Sequence, residues 1–444
     1  MRIHRFRRRS DPRCQRCFAF IERPLRHEWW FKRLIVLTTF LVIAVILRIV
    51  PRGRDLSAEI TSRSREIAHQ LARRGKSRSE IDDSWRRFRQ TGIEETRTRL
   101  DRFYAEAEPA DQRLMRYAGM DPEHGLLRWG NYNWTLLLSS KVFEAEDEGR
   151  SYRFRPLTHS IWLTNAPFKR GVFMFFIVPD GPGLADAIRG TTAIPLETSR
   201  QTTNSWGLRG PEPDLVAPLR GIVLGDSFME GMFIGDDETP PECLRRYLRD
   251  HLKTAVSILN TGVMGYSPEQ YYYSLIAFAD RFRPQFVVVS VFANDFGNVR
   301  DVSSRGAGDW REGQYWLEKI LKYCRARQWP CLVVPAPYEP SMLGKRSSGY
   351  YPGTITNIVD VDSLMYLDPI DDFVDAHLKL LNEGKRKGQR PRRSPLFNDD
   401  IADQHFSAAG SEVWAACVGR RLILLLEGDG DSLEPSASVR EDTK

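Results

Sequence analysis

The apolar residues fall into stretches of different period along the chain. From Leu34 to Leu47 the run Leu-Ile-Val-Leu-Thr-Thr-Phe-Leu-Val-Ile-Ala-Val-Ile-Leu carries no charge, and Arg48 interrupts it before Ile49 and Val50. Counted from Trp29 to Val50, the segment would span about 33 Å as a helix at 1.5 Å per residue, enough to cross a bilayer. Trp29 and Trp30 suit the interface, and Lys32, Arg33 and Arg48 are long enough to snorkel. A cleaved signal peptide needs a short leading region and a small-residue cleavage site, whereas 33 residues precede this run and Ile-Val-Pro-Arg-Gly-Arg-Asp closes it. The expectation is an uncleaved signal anchor over residues 34–50, preceded by an arm at 1–33.

Residues 51–118 are rich in Arg, Glu, Ala, Leu and Gln, with apolar positions such as Ile60, Ile67 and Leu71 at near-helical spacing. They predict a helical stalk of one or two helices with solvated faces. Between 119 and 215 the texture changes to aromatic and β-branched runs broken by Gly, Pro and Asn, which predicts a small strand-rich module. From 216 to 427 short apolar strands alternate with helices. Gly221–Leu224, Val256–Leu259, Phe286–Phe292 and Cys331–Val334 read as strands with both faces buried, which places this region in the α/β class with a parallel sheet covered by helices. Thr239 with Pro240 and Glu242, and Ser267 with Pro268 and Gln270, read as capping boxes opening two of those helices. Ser407 reads as the N-cap of a terminal helix to about Glu427, followed by an acidic tail at 428–444 expected to be disordered.

Charge alters the picture through its placement. The chain has 65 Lys and Arg against 58 Asp and Glu, a formal +7. Residues 1–33 alone hold eleven Lys and Arg against Asp11, Glu22 and Glu28, a local +8, so the other 411 residues are near −1. The basic arm argues for a cytoplasmic N-terminus and an extracytoplasmic body by the positive-inside rule, and the neutral body argues against nucleic acid as a partner. Six scattered cysteines make no disulfide scaffold, and Cys14 and Cys17 form a lone Cys-x-x-Cys without a second pair. Lys385, Arg386, Lys387, Arg390, Arg392 and Arg393 form a basic loop read as a solvated insertion.

In an open parallel sheet the reactive groups gather beyond the carboxyl ends of the strands. Ser227 follows the first strand of the sheet at once, where a hydroxyl can serve as nucleophile. The loops after the next two strands carry Gly265, whose backbone N–H can approach an oxyanion, and Asn294, whose amide can donate to one. Of eight histidines only His377 and His405 remain plausible bases, each in an Asp-x-His. Asp375 and His377 sit two apart inside a helical pattern and do not face each other, whereas Asp403 and His405 follow a polar loop. His405 is therefore the expected base.

These residues resemble the SGNH hydrolases, also called GDSL lipases and esterases, over about residues 220–427. Gly225-Asp226-Ser227-Phe228 is similar to the family's nucleophile block and Asn260 to Gly265 to its second block. Ala293-Asn294-Asp295 is similar to the third block and Asp403-Gln404-His405-Phe406-Ser407 to the last. The resemblance implies a three-layer α/β/α fold like that of flavodoxin, with Ser227 as nucleophile, His405 as base and Asp403 orienting it. It also implies an oxyanion hole from Ser227 N–H, Gly265 N–H and the Asn294 side chain. Phe292 stands where the third block usually has glycine, and Ala402 where the commoner spacing has the aspartate. The Asp-x-His variant is similar to that of polysaccharide O-acetyltransferases and deacetylases, which keeps Asp403 ahead of Asp400. A literal Gly430-Asp431-Ser432-Leu433 follows no strand and lies after His405, so it reads as tail composition.

The expected activity is that of a membrane-anchored serine esterase acting on acyl, chiefly O-acetyl, esters of cell-envelope or secreted glycans, with no metal and no cofactor. An O-acyltransferase with the same triad, a lipase or lysophospholipase acting on a lipid ester, and a non-catalytic glycan-binding or assembly protein are the alternatives.

Overall fold

The computed structural model describes residues 78–129, 135–146, 149–164, 175–296, 310–337, 339, 355, 365–386, 394–398 and 405–427. The expected anchor, Cys14 and Cys17, Asp400, Asp403 and the acidic tail lie outside the described residues. Among the described residues no helix is long and apolar enough to cross a membrane.

Two helices come first, α1 (Arg78–Glu106) and α2 (Pro109–Ala118). The second has Pro at its first turn and ends on Gly119 at φ +64, where a residue without Cβ closes the helix cheaply. Strands β1 (Leu126–Trp129) and β2 (Thr135–Leu138) form an antiparallel pair, as do β3 (Phe143–Ala145) and β4 (Tyr152–Phe154). Strand β5 (His159–Thr164) is the centre of a three-stranded antiparallel sheet with β6 (Phe175–Pro179) and β7 (Ile194–Thr202), and the short helix α3 (Leu184–Ile188) precedes β7.

The remaining elements alternate. They run β8 (Leu219–Leu224), a single helical turn α4 (Ser227–Glu230), α5 (Pro240–Leu252), β9 (Val256–Asn260), α6 (Pro268–Phe282), β10 (Phe286–Val291), α7 (Trp310–Ala326), β11 (Cys331–Pro335), α8 (Ile370–Arg386) and α9 (Ala408–Glu427). Strands β8 to β11 form one sheet in the order β11-β10-β8-β9, with every pairing parallel. Side chains alternate across it, as the two-residue period of a strand requires. Ile222, Leu224, Val287, Val289 and Val333 pack with Tyr271, Leu275, Leu317 and Ile320 of α6 and α7. Val223, Val288, Leu332 and Val334 pack with Leu244, Leu248, Phe373 and Trp414 of α5, α8 and α9. Helices thus cover both faces, which is why β10 and β11 are apolar almost throughout and buried at every position.

One capping expectation fails. Thr239 does stand at the N-cap of α5, but its side chain makes no cap hydrogen bond, and Glu242 pairs instead with Arg245 at 2.6 and 2.8 Å. Its hydroxyl donates to Asp236 O at 3.3 Å, because the turn ahead is a 3-10 helix (Asp236–Glu238) that offers a carbonyl first. The box at α6 forms, with Ser267 N–H donating to Gln270 Oε1 at 3.0 Å.

Candidate active site

Strand β8 ends at Leu224, and the chain turns through Gly225 and Asp226 into α4, whose first residue is Ser227. The Asp226 carboxylate caps that turn by accepting the Phe228 N–H at 3.0 Å. Residues 394–398 and 405–407 pair with each other and hold His405. Asn398 N–H donates to His405 O at 3.0 Å, Ser407 N–H to Leu396 O at 3.0 Å, and the Ser407 hydroxyl to Pro395 O at 2.7 Å. The result brings His405 Nε2 within 2.7 Å of Ser227 Oγ across 178 residues of sequence. That is hydrogen-bond distance for a base and the hydroxyl it deprotonates. Asp403 and its reserve Asp400 lie outside the described residues.

Gly265 lies in the loop after β9 at φ +74, a conformation that glycine adopts freely. The loop hugs the turn that holds Ser227. A Cβ on Gly262 would stand 2.3 Å from Glu230 N, so only glycine permits this approach. Asn260 ties the two together, its Nδ2 donating to Met229 O at 2.8 Å and its Oδ1 accepting the Gly262 N–H at 2.9 Å. Asn294 lies in the 3-10 turn Ala293–Phe296 that follows β10, near enough to Asp226 for its side chain to oppose the rise of that carboxyl's pKa. Ser227, Gly265 and Asn294 therefore occupy the loops that follow three neighbouring strands of one parallel sheet, the arrangement expected of an open α/β site.

Three buried acids surround the serine turn. Burial pushes the Asp226 carboxyl up, while the Phe228 N–H, His405 and Asn294 oppose the shift. Burial raises Asp295 well above its ordinary range, and the nearby Asp226 adds to this. Asp295 accepts the Tyr271 hydroxyl at 2.9 and 3.1 Å and the Phe292 N–H at 2.7 Å, which keeps Phe292 and Asn294 in place. Glu230 is pushed up to about 7, chiefly by burial, with Arg209, the Met264 N–H and His405 opposing.

The imidazole is walled by aromatic rings. Phe228 lies 4.7 Å from it, and Phe233 meets it edge-on at 5.9 Å. Phe233 has φ +69, an uncommon conformation for a residue with a side chain. Its ring is held by Trp162 of β5 at 5.0 Å and Phe175 of β6 at 5.1 Å, so strands outside the parallel sheet bear on the candidate base.

Sequence reasoning missed Tyr152, Arg209 and Glu230. Arg209 is wholly buried; it donates to Glu230 O at 2.8 Å, Gly231 O at 2.5 Å, Ile234 O and Asp236 Oδ1 at 2.9 Å, tying down the segment that follows the serine. A lone acid between Met229 and Gly231, directly after the serine block, was the available signal for Glu230. Among the described residues the group that could gather three metal ligands is Asp121, Glu123 and His124. There Asp121 Oδ1 already lies 2.8 Å from His124 Nδ1 and accepts the Glu123 N–H at 3.1 Å, which makes it a closed Asx turn.

No protein-family model and no curated protein sequence matches the chain. Among solved structures it is similar to the psychrotrophic esterase EstA from Pseudoalteromonas sp., at 16% identity and TM-score 0.34 over 47% of this chain and 98% of that one. It is similar to the acetyl xylan esterase AlAXEase at 17% identity and TM-score 0.34, over 47% of this chain and 100% of that one. A lipolytic protein of the G-D-S-L family from Desulfitobacterium hafniense matches at 13% identity and TM-score 0.30, over 46% and 98% of the two chains.

Proposed function

We propose that the protein is a serine esterase. The observation that carries this reading is the 2.7 Å approach of His405 Nε2 to Ser227 Oγ at the carboxyl edge of a parallel sheet. In the reaction His405 takes the Ser227 proton as Oγ attacks the ester carbonyl. The charge that develops on the carbonyl oxygen is met by the Ser227 and Gly265 N–H groups and the Asn294 amide. Collapse of the tetrahedral species expels the alcohol with the proton held by His405, and water, deprotonated by the same imidazole, then releases the acid. Asp403 orients the imidazole in this scheme.

The substrate class follows from placement. An anchor at 34–50 with a basic cytoplasmic arm puts the catalytic body outside the membrane, where acyl esters of envelope or secreted glycans are at hand, O-acetyl esters first among them. The test is turnover of acetyl to long-chain esters by the full chain in detergent, wild type against Ser227→Ala, with labelling by a phosphonate probe. Turnover of acetyl esters that Ser227→Ala abolishes, with the probe on Ser227, is expected. Equal background rates for both proteins and no label on Ser227 would overturn it.

A further inference from the structure

The peptide joining Met264 to Gly265 is gripped by a residue from outside the parallel sheet. Tyr152, on β4, donates its hydroxyl to Met264 O at 2.6 Å. The Met264 N–H donates to Glu230 Oε2 at 2.5 Å, so both backbone groups of Met264 are engaged. Tyr152 is itself immobilised. It is 0% exposed, its ring lies 5.3 Å from that of Tyr266, and its carbonyl accepts the Tyr266 hydroxyl. Burial pushes the phenol well above its ordinary range, so the group stays a neutral donor at any working pH.

What this grip controls follows from peptide geometry. No cis peptide bond occurs among the described residues. In a trans peptide the C=O of one residue and the N–H of the next share a plane and point in opposite directions. Aiming Met264 O at Tyr152 therefore aims the Gly265 N–H directly away from it. Such a lock is needed here, because rotating this peptide changes only ψ of Met264 and φ of Gly265, and glycine tolerates either sign of φ.

We propose that Tyr152 is a positioning residue for the Gly265 N–H, so that the strand region preceding the parallel sheet completes the oxyanion hole. The proposal rests on the esterase reading and deepens it. Tyr152 touches no reacting atom; it acts through the orientation of one peptide.

The test uses the full chain carrying Tyr152→Phe, which removes one oxygen and keeps the ring. Rates are expressed per Ser227 titrated with the phosphonate, so that misfolded protein is not counted. The expected result is a kcat lower by about tenfold or more, as for a displaced oxyanion donor, with KM within about twofold of wild type. A crystal structure of the variant is expected to show the 264–265 peptide rotated. An unchanged kcat per titrated site, or an unrotated peptide, overturns the proposal; a role in stability alone would lower the melting temperature and leave both untouched. If the wild type itself turns over no ester, the esterase reading falls, and the orientation of the peptide in the variant still decides whether Tyr152 holds it.

Discussion

Phe228 lies against His405 with ring centroids 4.7 Å apart and planes tilted by 33°, one residue after the serine whose hydroxyl the imidazole meets. Phe292 in turn packs on Phe228 at 4.5 Å, so the large residue standing where the resembled motif has glycine belongs to the same aromatic stack. The stack limits rotation of the imidazole. Replacing Phe228 by Leu keeps most of the buried volume and removes the flat face. It should cost about 1 kcal/mol of stability and lower kcat by roughly tenfold through misplacement of the base. Steady-state kinetics against urea unfolding separates the two effects, and a kcat equal to wild type would show that the stack does not hold the base.

Glu230 gives stability a definite pH dependence. Its carboxyl, fully buried, is raised from 4.5 to about 7 by burial, against the opposing pull of Arg209, the Met264 N–H and His405 and with a small push from Asp226. The folded state thus holds a proton that the unfolded state releases. Stability from this group is complete below pH 4.5, falls as pH rises, and is lost once pH passes about 7. The span of that window corresponds to roughly 3 kcal/mol. Glu230→Gln should flatten the fall in unfolding free energy between pH 4.5 and 7 and be the more stable protein at pH 8. Parallel slopes for the two proteins over that window would contradict the shift.

The parallel sheet was legible in the sequence, because strands buried on both faces must be apolar throughout, and β8 to β11 are read as such runs. The approach of Ser227 and His405 could be expected from the sequence, Ser227 from its place between a strand and a helix and His405 because six of eight histidines sit in segments with another evident role. The polar residues that hold the site were not. Tyr152 meets Met264 across 112 residues, Glu230 meets Met264 across 34 and Arg209 meets Glu230 across 21. Nothing adjacent to these residues records such partners. Thr239 shows that a local signature can lose to local competitors, its hydroxyl going to Asp236 O and Glu242 to Arg245, each three residues away.

Arg209 is the second test of that buried polar layer. Its guanidinium, with no exposed surface, satisfies three carbonyls and Asp236 at once, a fork that an ammonium cannot reproduce. Arg209→Ala leaves those acceptors and Asp236 without a partner and should cost about 3–5 kcal/mol. Arg209→Lys should recover only part of this. Loss of the positive charge also removes a group that holds Glu230 down, so the pH at which stability from Glu230 is lost moves above 7. Denaturant unfolding across pH checks both; full recovery by Lys would mean that charge alone, without the fork, suffices.

His377 titrates with the opposite sign. Its Nδ1 lies 2.9 Å from Ser394 Oγ, and Ser394 N–H donates to Glu339 Oε1 at 2.8 Å, at the start of the segment that pairs with His405 and its neighbours. Burial lowers the His377 pKa from 6.5, and Glu339 opposes the shift. The unfolded state therefore takes up the proton first, so stability is present above pH 6.5 and is lost as pH falls through the folded value. Glu230 would mask this over the same range, so the comparison belongs in a Glu230→Gln background. There, adding His377→Gln should remove the decline in melting temperature between pH 7.5 and 5.5. Because Gln can still bond Ser394, kcat at pH 7.5 should stay within about twofold of the background protein, the interaction being one neutral hydrogen bond. A decline of the same slope in both proteins would place the titrating group elsewhere.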